Sequence, residues 1–308
     1  MTDPTPSQTT PSQTTPRKTK PIPQEAFDWY DEYAHGVIDR REFLRRLATI
    51  TAVGASVGVL TSALTPNYAL ADQISFNDPD ILATYTTFDS PQGHGEGRGY
   101  LVKPKNLQSA APAILVVHEN RGLNPYIKDV ARRVAKAGFI AFAPDALYPL
   151  GGYPGNDDDG RSMQSGMDRS KIEQDFVAAT DYLRAMHATT NIGAVGFCFG
   201  GYVVNMLAAA RSDLIDAGVP FYGTPAAKEL WPNIKSPLMV QLAENDKRVN
   251  STWPDYEKVL NAQNLDYAMH MYKDCQHGFH NDSTGRYNEL QAAIAWERTL
   301  AFFSEHLT

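Results

Sequence analysis

Gly196-Phe197-Cys198-Phe199-Gly200-Gly201 decides how the rest of this chain is read. The apolar run Ile192 to Val195 precedes it and reads as a buried strand, and Tyr202 to Ala210 follows it and reads as a helix. A strand that turns into a helix across G-x-C-x-G is a nucleophile elbow with sulfur in place of the usual hydroxyl. Such a turn strains the nucleophile's backbone and brings neighbouring backbone close, so a Cβ at 196 or 200 would clash. It also sets the Cys198 sulfur at a helix N-terminus, where the dipole and free N–H groups favour a thiolate and then an oxyanion. The competing reading of the hexapeptide alone is a buried structural cysteine in a glycine-rich turn.

Outward from the elbow, strand and helix patterns alternate, which implies an α/β domain with a mostly parallel sheet of about eight strands flanked by helices. Strands are predicted at Leu82–Phe88, Gly99–Val102, Ala113–Val117, Phe139–Ala143, Ala217–Tyr222, Leu238–Ala243 and Tyr267–Tyr272. Helices are predicted at Ile127–Ala137, Lys171–Met186, Trp253–Ala262 and Asn288–His306. The glycine-rich stretch Gly93 to Gly99 lacks a following helix, so it reads as a hairpin loop and not a dinucleotide fingerprint. Residues 146–168, with Asp157-Asp158-Asp159, read as a solvated lid loop, because the acids lack the alternating spacing of a calcium loop.

Catalysis on such a sheet takes place at the carboxyl ends of the strands. Cys198, Asp246 and His277 all fall there, in the order nucleophile, acid, histidine of the α/β-hydrolases. A thiol needs a base, imidazole serves, and a carboxylate fixes the imidazole's tautomer and balances its charge. Two rival readings use neighbouring residues. Cys275, His277 and His280 form C-x-H-x-x-H, a potential metal seat without an evident fourth ligand. Cys198 and Cys275 could instead form a redox pair in an exported thiol sensor or an inactive binding module.

With His118-Glu119-Asn120-Arg121-Gly122, Ala143-Pro144-Asp145, the elbow, Asn245-Asp246 and His277-Gly278-Phe279 together, residues 75–308 resemble the dienelactone hydrolases (carboxymethylenebutenolidases), a cysteine-using branch of the α/β-hydrolases. The resemblance implies a Cys198–His277–Asp246 triad and an oxyanion hole from the backbone N–H groups of Phe199 and Asn120. It implies Glu119 as the carboxylate that gates the thiol, a small ester or lactone as substrate, and neither cofactor nor metal. The family's arginines for a substrate carboxylate are not matched. Leu147-Tyr148-Pro149-Leu150 follows the Pro-Asp motif, and Asn281 stands four residues after His277. Arg121 is the candidate replacement for binding substrate, or else a residue that positions the glutamate loop.

The first 71 residues read differently. Pro6 to Pro16 repeats Pro-Ser-Gln-Thr-Thr and cannot build a core, so residues 1–38 are expected to be a disordered or weakly helical leader. Residues 39–71 look like a twin-arginine signal: Arg40-Arg41, then Phe43-Leu44, an uncharged run from Leu47 to Leu64, and Ala69-Leu70-Ala71 as a cleavage site. The expected consequence is an exported protein that meets the twin-arginine machinery, starts near Asp72 and keeps no stable membrane span after cleavage, leaving 72–308 as the hydrolase domain. The uncharged run is marginal as an anchor. The net charge of −7 over 308 residues, without a basic block beyond residue 71, argues against nucleic-acid binding. Two cysteines exclude a disulfide framework.

Overall fold

Eight strands share one sheet in the order β1-β2-β4-β3-β5-β6-β7-β8. They are β1 (Ile81–Ser90), β2 (Gly95–Pro104), β3 (Ala111–Val117), β4 (Ile140–Pro144), β5 (Thr189–Phe197), β6 (Ala217–Phe221), β7 (Leu238–Asn245) and β8 (Tyr267–Gln276). The computed structural model describes residues 22–51, 56–67, 72–186 and 189–308. The low-complexity tract up to residue 21, part of the uncharged run at 52–55 and the expected cleavage site at 69–71 lie outside them. The β1–β2 hairpin and the β2–β4 pair are antiparallel, whereas β4, β3, β5, β6, β7 and β8 run parallel. Every residue of β3 from Ala113 to Val117 is buried, as a central parallel strand covered on both faces requires.

Helices flank the sheet: α1 (Gln24–Ala34), α2 (Arg40–Thr51), α3 (Val57–Leu64), α4 (Pro125–Lys136), α5 (Asp157–Ser165), α6 (Arg169–Ala185), α7 (Phe199–Ala210), α8 (Lys247–Asn250), α9 (Trp253–Ala262) and α10 (Glu289–Leu307). One apolar cluster packs α6, α7 and α9 on one face of the sheet, and a second packs α4 and α10 on the other. Asn124 caps α4 through Ile127 N–H, and Pro125 stands in its first turn, where the missing N–H costs nothing.

One stretch differs from its sequence reading. The acidic run in 146–168 is a helix, not an open lid loop: Asn156 caps α5 by accepting from Asp159 N–H, and all three aspartates sit in its first turn, where negative charge suits the dipole. Ahead of the sheet, the weakly helical leader contributes α1 and residues 39–71 contribute α2 and α3; the three share a third apolar cluster around Tyr30, Tyr33, Phe43, Leu47, Leu60 and Leu64. No helix among the described residues is long and apolar enough to cross a membrane.

The elbow is held by backbone against backbone. A Cβ on Gly196 would lie 2.1 Å from the Gly200 carbonyl oxygen, and one on Gly200 would lie 2.2 Å from that of Val117. No side-chain rotation relieves either clash. Gly200→Ala is therefore expected to lower stability by on the order of 3 kcal/mol, at the upper end for overpacking. A urea midpoint equal to the parent's would contradict this close approach.

Candidate active site

Three parallel strands each deliver one residue immediately beyond their last position: Cys198 after β5, Asp246 after β7 and His277 after β8. Cys198 takes φ +57, in the left-handed region that costs a non-glycine residue, and the Cys198 N–H donates to the Phe221 carbonyl at 3.0 Å. Asp246 caps α8 by accepting from Val249 N–H with Oδ1 at 3.1 Å. Its Oδ2 accepts from His277 Nδ1 at 2.6 Å. That bond fixes the proton on Nδ1 and turns Nε2 to the centre of the site. Cys198, Asp246 and His277 are all buried.

The three predicted residues come together, with a second histidine beside them. His277 Nε2 lies within 4.8 Å of Cys198 Sγ, yet it is buried without a hydrogen bond. The sulfur bonds instead to His35 Nε2, 3.2 Å away. His35 follows α1, its Nδ1 donates to the Asp31 carbonyl at 2.8 Å, and the Asp31 carboxylate stands 3.2 Å from the same nitrogen. Asp31 also lies 3.9 Å from His277 Nε2 and 3.4 Å from Arg248 Nε. Two imidazoles, each backed by an aspartate, thus converge on one sulfur.

The charges follow from this arrangement. Burial opposes ionisation of Cys198, but the charges of His35 and His277 overcome it and hold the thiol well below its ordinary 9.0. Burial likewise opposes protonation of His277, and Asp31, Asp246 and the sulfur outweigh it, raising the imidazole to about 10. His35 is raised to about 9 against burial by Cys198 and Asp31. Arg248 Nη2 is also 2.9 Å from His35 Nε2. A neutral Nε2 would accept from that arginine; a protonated one donates to the thiolate, and the adjoining negative charges favour the proton. The site is then a thiolate among imidazoliums and aspartates. His35, Cys198 and His277 offer three ligand atoms of the kind zinc takes, but the Arg248 guanidinium already brings a cation to that spot.

The loop after β3 carries the other predicted groups. His118 Nδ1 donates to the Glu119 carbonyl at 2.5 Å, and its Nε2 accepts from Ala146 N–H at 3.1 Å, so the ring ties this loop to the one after β4. Glu119 is buried and accepts from Asn281 Nδ2 at 2.9 Å. Burial raises its carboxyl, Arg121 counteracts, and the negative charge of Cys198 raises it further. It makes no hydrogen bond to Sγ among the described residues. Phe199 begins α7, so its N–H has no acceptor one turn back in the helix. Asn120 follows Glu119 and donates through Nδ2 to the Ala34 carbonyl at 2.6 Å.

Other predicted residues are engaged elsewhere. Arg121 is buried and pairs with Asp157 at 2.6 Å, so it positions this loop against α5 and does not present its charge to a substrate. His280 bonds through Nδ1 to Tyr126 Oη at 2.7 Å and, by burial and the charge of Arg133, falls to about 3. Cys275 packs in the second apolar cluster, and burial, with Asp274 and Glu244, pushes its thiol up to about 12. Cys275, His277 and His280 therefore do not share a metal centre, and both cysteines are free. Asp31, His35, Arg248 and Arg286 escaped the sequence reading. Arg248, Arg286, Asp31 and Phe27 line a cavity of about 210 Å³ beside His277.

Residues 98–307 match the dienelactone hydrolase family, on a fold with the elbow and strand-end residues in place. The chain belongs to the dienelactone hydrolase family. It is 36% identical over 222 residues to Protein usf of Aquifex pyrophilus, covering 68% of this chain and 94% of that one. It is 65% identical over 109 residues to the putative hydrolase fragment YghX of Escherichia coli K12, covering 35% of this chain and 93% of the fragment. The crystal structure of a putative dienelactone hydrolase from Klebsiella pneumoniae shares the fold, with TM-score 0.64 at 22% identity, covering 73% of this chain and 99% of that one. Residues 14–53 match a separate family, described as YqhI-like.

A depressed thiol value has a direct readout. Thiolate ultraviolet absorbance, taken as the difference from Cys198→Ala, is expected to persist as pH falls from 9.0 to neutrality and to vanish only at the lower folded value. His277→Ala and His35→Ala each remove a positive charge, so each should move the transition upward. A transition at the ordinary thiol value in the parent would contradict the ion pair.

Proposed function

We propose that this dienelactone hydrolase family member cleaves a carboxylic ester or lactone through a thioester on Cys198, with His277 as base and acid and Asp246 as its orienting carboxylate. The 2.6 Å bond from His277 Nδ1 to Asp246, which directs Nε2 toward the sulfur at the elbow, carries the reading. A relative from Bradyrhizobium sp., 29% identical over 231 residues, is named a probable 2-oxo-3-(5-oxofuran-2-ylidene)propanoate lactonase, and one from Aquifex aeolicus is named a putative carboxymethylenebutenolidase. Both names denote ring-opening ester chemistry.

The Cys198 thiolate adds to the substrate carbonyl carbon, and the carbonyl π pair moves to oxygen. The backbone N–H groups of Phe199 and Asn120 receive that oxyanion. The intermediate collapses, the C–O bond to the leaving group breaks, and imidazolium His277 protonates the departing alkoxide. Neutral His277 then takes a proton from water, hydroxide adds to the thioester, and the acid leaves with regeneration of the thiolate. An alkoxide leaves readily and an amine poorly against a thiolate, so esters and lactones are favoured over amides. The expected gating by Glu119 would take up the thiol proton; with Cys198 ionised beside the two histidines there is no such proton to take, and in this reading the buried Glu119, held by Asn281, braces the loop that carries Asn120. Arg248 and Arg286 beside His277 suit a substrate that carries a carboxylate.

In the same proposal, Arg40-Arg41 serves twin-arginine export. Arg40, Arg41 and Arg45 are exposed on α2, within reach of a partner.

With p-nitrophenyl acetate, Cys198→Ala and His277→Ala should each lose about 10³-fold or more in kcat/KM, as expected when a nucleophile or its base is removed. Activity equal to the parent in either variant would remove the triad. Export is checked by fractionating a bacterial host: Arg40→Lys with Arg41→Lys should retain the protein in the cytoplasm, and unchanged distribution would refute the signal.

A further inference from the structure

We infer that α1 and the turn after it, residues 24–38, are an intramolecular occupant of the acyl site, which covers Cys198 at rest and must leave before an ester can reach the sulfur. The inference rests on the reading of Cys198 as nucleophile.

The hydrogen bond of the sulfur is its first support. A carbonyl carbon has to come within about 3–3.5 Å of the attacking atom, and His35 Nε2 already stands 3.2 Å from Sγ. His277 Nε2 has only long contacts, to Asp31 at 3.9 Å and to the sulfur, and no hydrogen bond of ordinary geometry, whereas a buried polar atom in a finished site normally has one. The His35 ring lies edge-on to that of His277, with centroids 4.9 Å apart. Ala34 meanwhile engages the side chain of Asn120, whose own N–H is needed for the oxyanion. The cavity beside His277 does not include Cys198 in its lining, so a molecule entering there meets the base and not the nucleophile.

The way the segment is held is the second support. The apolar cluster of α1–α3 draws only on residues between Ile22 and Leu64. Its seam with the catalytic unit is polar and cation–π: Gln24 with Gln276, Tyr33 with Asp158, Asp31 with Arg248 and His277, His35 with Cys198, and Tyr30 with Arg121 and under Arg286 at 4.8 Å. The exposed contacts contribute only about 1 kcal/mol net each, and the buried charges of Asp31 and His35 leave together as a pair, so neither is left uncompensated in the site. The helices can therefore release as a unit without exposing either cluster of the main sheet. A fixed wall of the pocket would be expected to share those cores.

The test uses the full chain. Cys198 alkylation by iodoacetamide and hydrolysis of p-nitrophenyl acetate are measured in the parent, in Leu47→Asp and in His35→Ala. Leu47 is fully buried in the helices' own cluster, so a charge there unseats them without touching the catalytic residues. If the site is open about 10% of the time or less at rest, Leu47→Asp should raise both rates about 10-fold or more. His35→Ala should raise hydrolysis as well, and it carries the test alone if Leu47→Asp fails to fold. Unchanged alkylation in folded Leu47→Asp, or a loss of hydrolysis in His35→Ala measured above its raised thiol transition, where Cys198 is ionised in every form, would overturn the inference and make the segment a working part of the site. Faster alkylation with no ester hydrolysis in any form would uphold the occlusion and sink the esterase reading instead.

Discussion

Backbone contact between the elbow and the end of β3 constrains everything around it. Gly200 lies so close to the Val117 carbonyl that no side chain fits between them. This contact fixes where α7 begins, hence where Cys198 and the Phe199 N–H sit. It also holds the start of the His118–Asn120 loop next to the elbow, so the proposed second oxyanion donor depends on the same contact. His277 and Asp246 need only stand at the ends of β8 and β7, three and two places from β5 in the sheet. The chemistry thus depends on a steric fact about two glycines more than on any single polar bond.

Electrostatics builds on that frame. Burial alone would keep the thiol protonated and the imidazoles neutral. Each of the three ionises because the others do, with Asp246 and Asp31 completing the balance. Desolvated charges of this kind are tolerated only as a set, and removing one partner leaves the rest uncompensated. The site can therefore tolerate a second histidine beside the nucleophile only because a second aspartate accompanies it.

The elbow and the strand ends that bring Cys198, Asp246 and His277 together were legible in the sequence because each depends on local pattern: glycine spacing, apolar runs, and a polar residue just past a run. The role of Asn156 as the cap of an acidic first turn was also written locally, in Asn-Asp-Asp-Asp, but consecutive aspartates among glycines read equally well as a solvated loop. His35 could not be found this way. Its partner Cys198 is 163 residues away, and nothing near His35 marks it as more than a histidine at a helix end. Paired arginines before an uncharged run are a strong local signal for export, and local signals say nothing of what a segment touches. Arg121 shows the converse. Its position suggested a substrate contact, and a carboxylate 36 residues on claimed it.

Because α1 belongs to the same chain as the thiol it covers, it acts at an effective concentration of about millimolar however dilute the enzyme is. Breaking one peptide bond in the connection would place the same helices in free solution, at the concentration of the protein itself. A docking constant anywhere between those two concentrations then separates occupied from vacant sites. No contact in the seam has to weaken for that to happen. Scission after the helices would convert a permanent ligand into a dilute one.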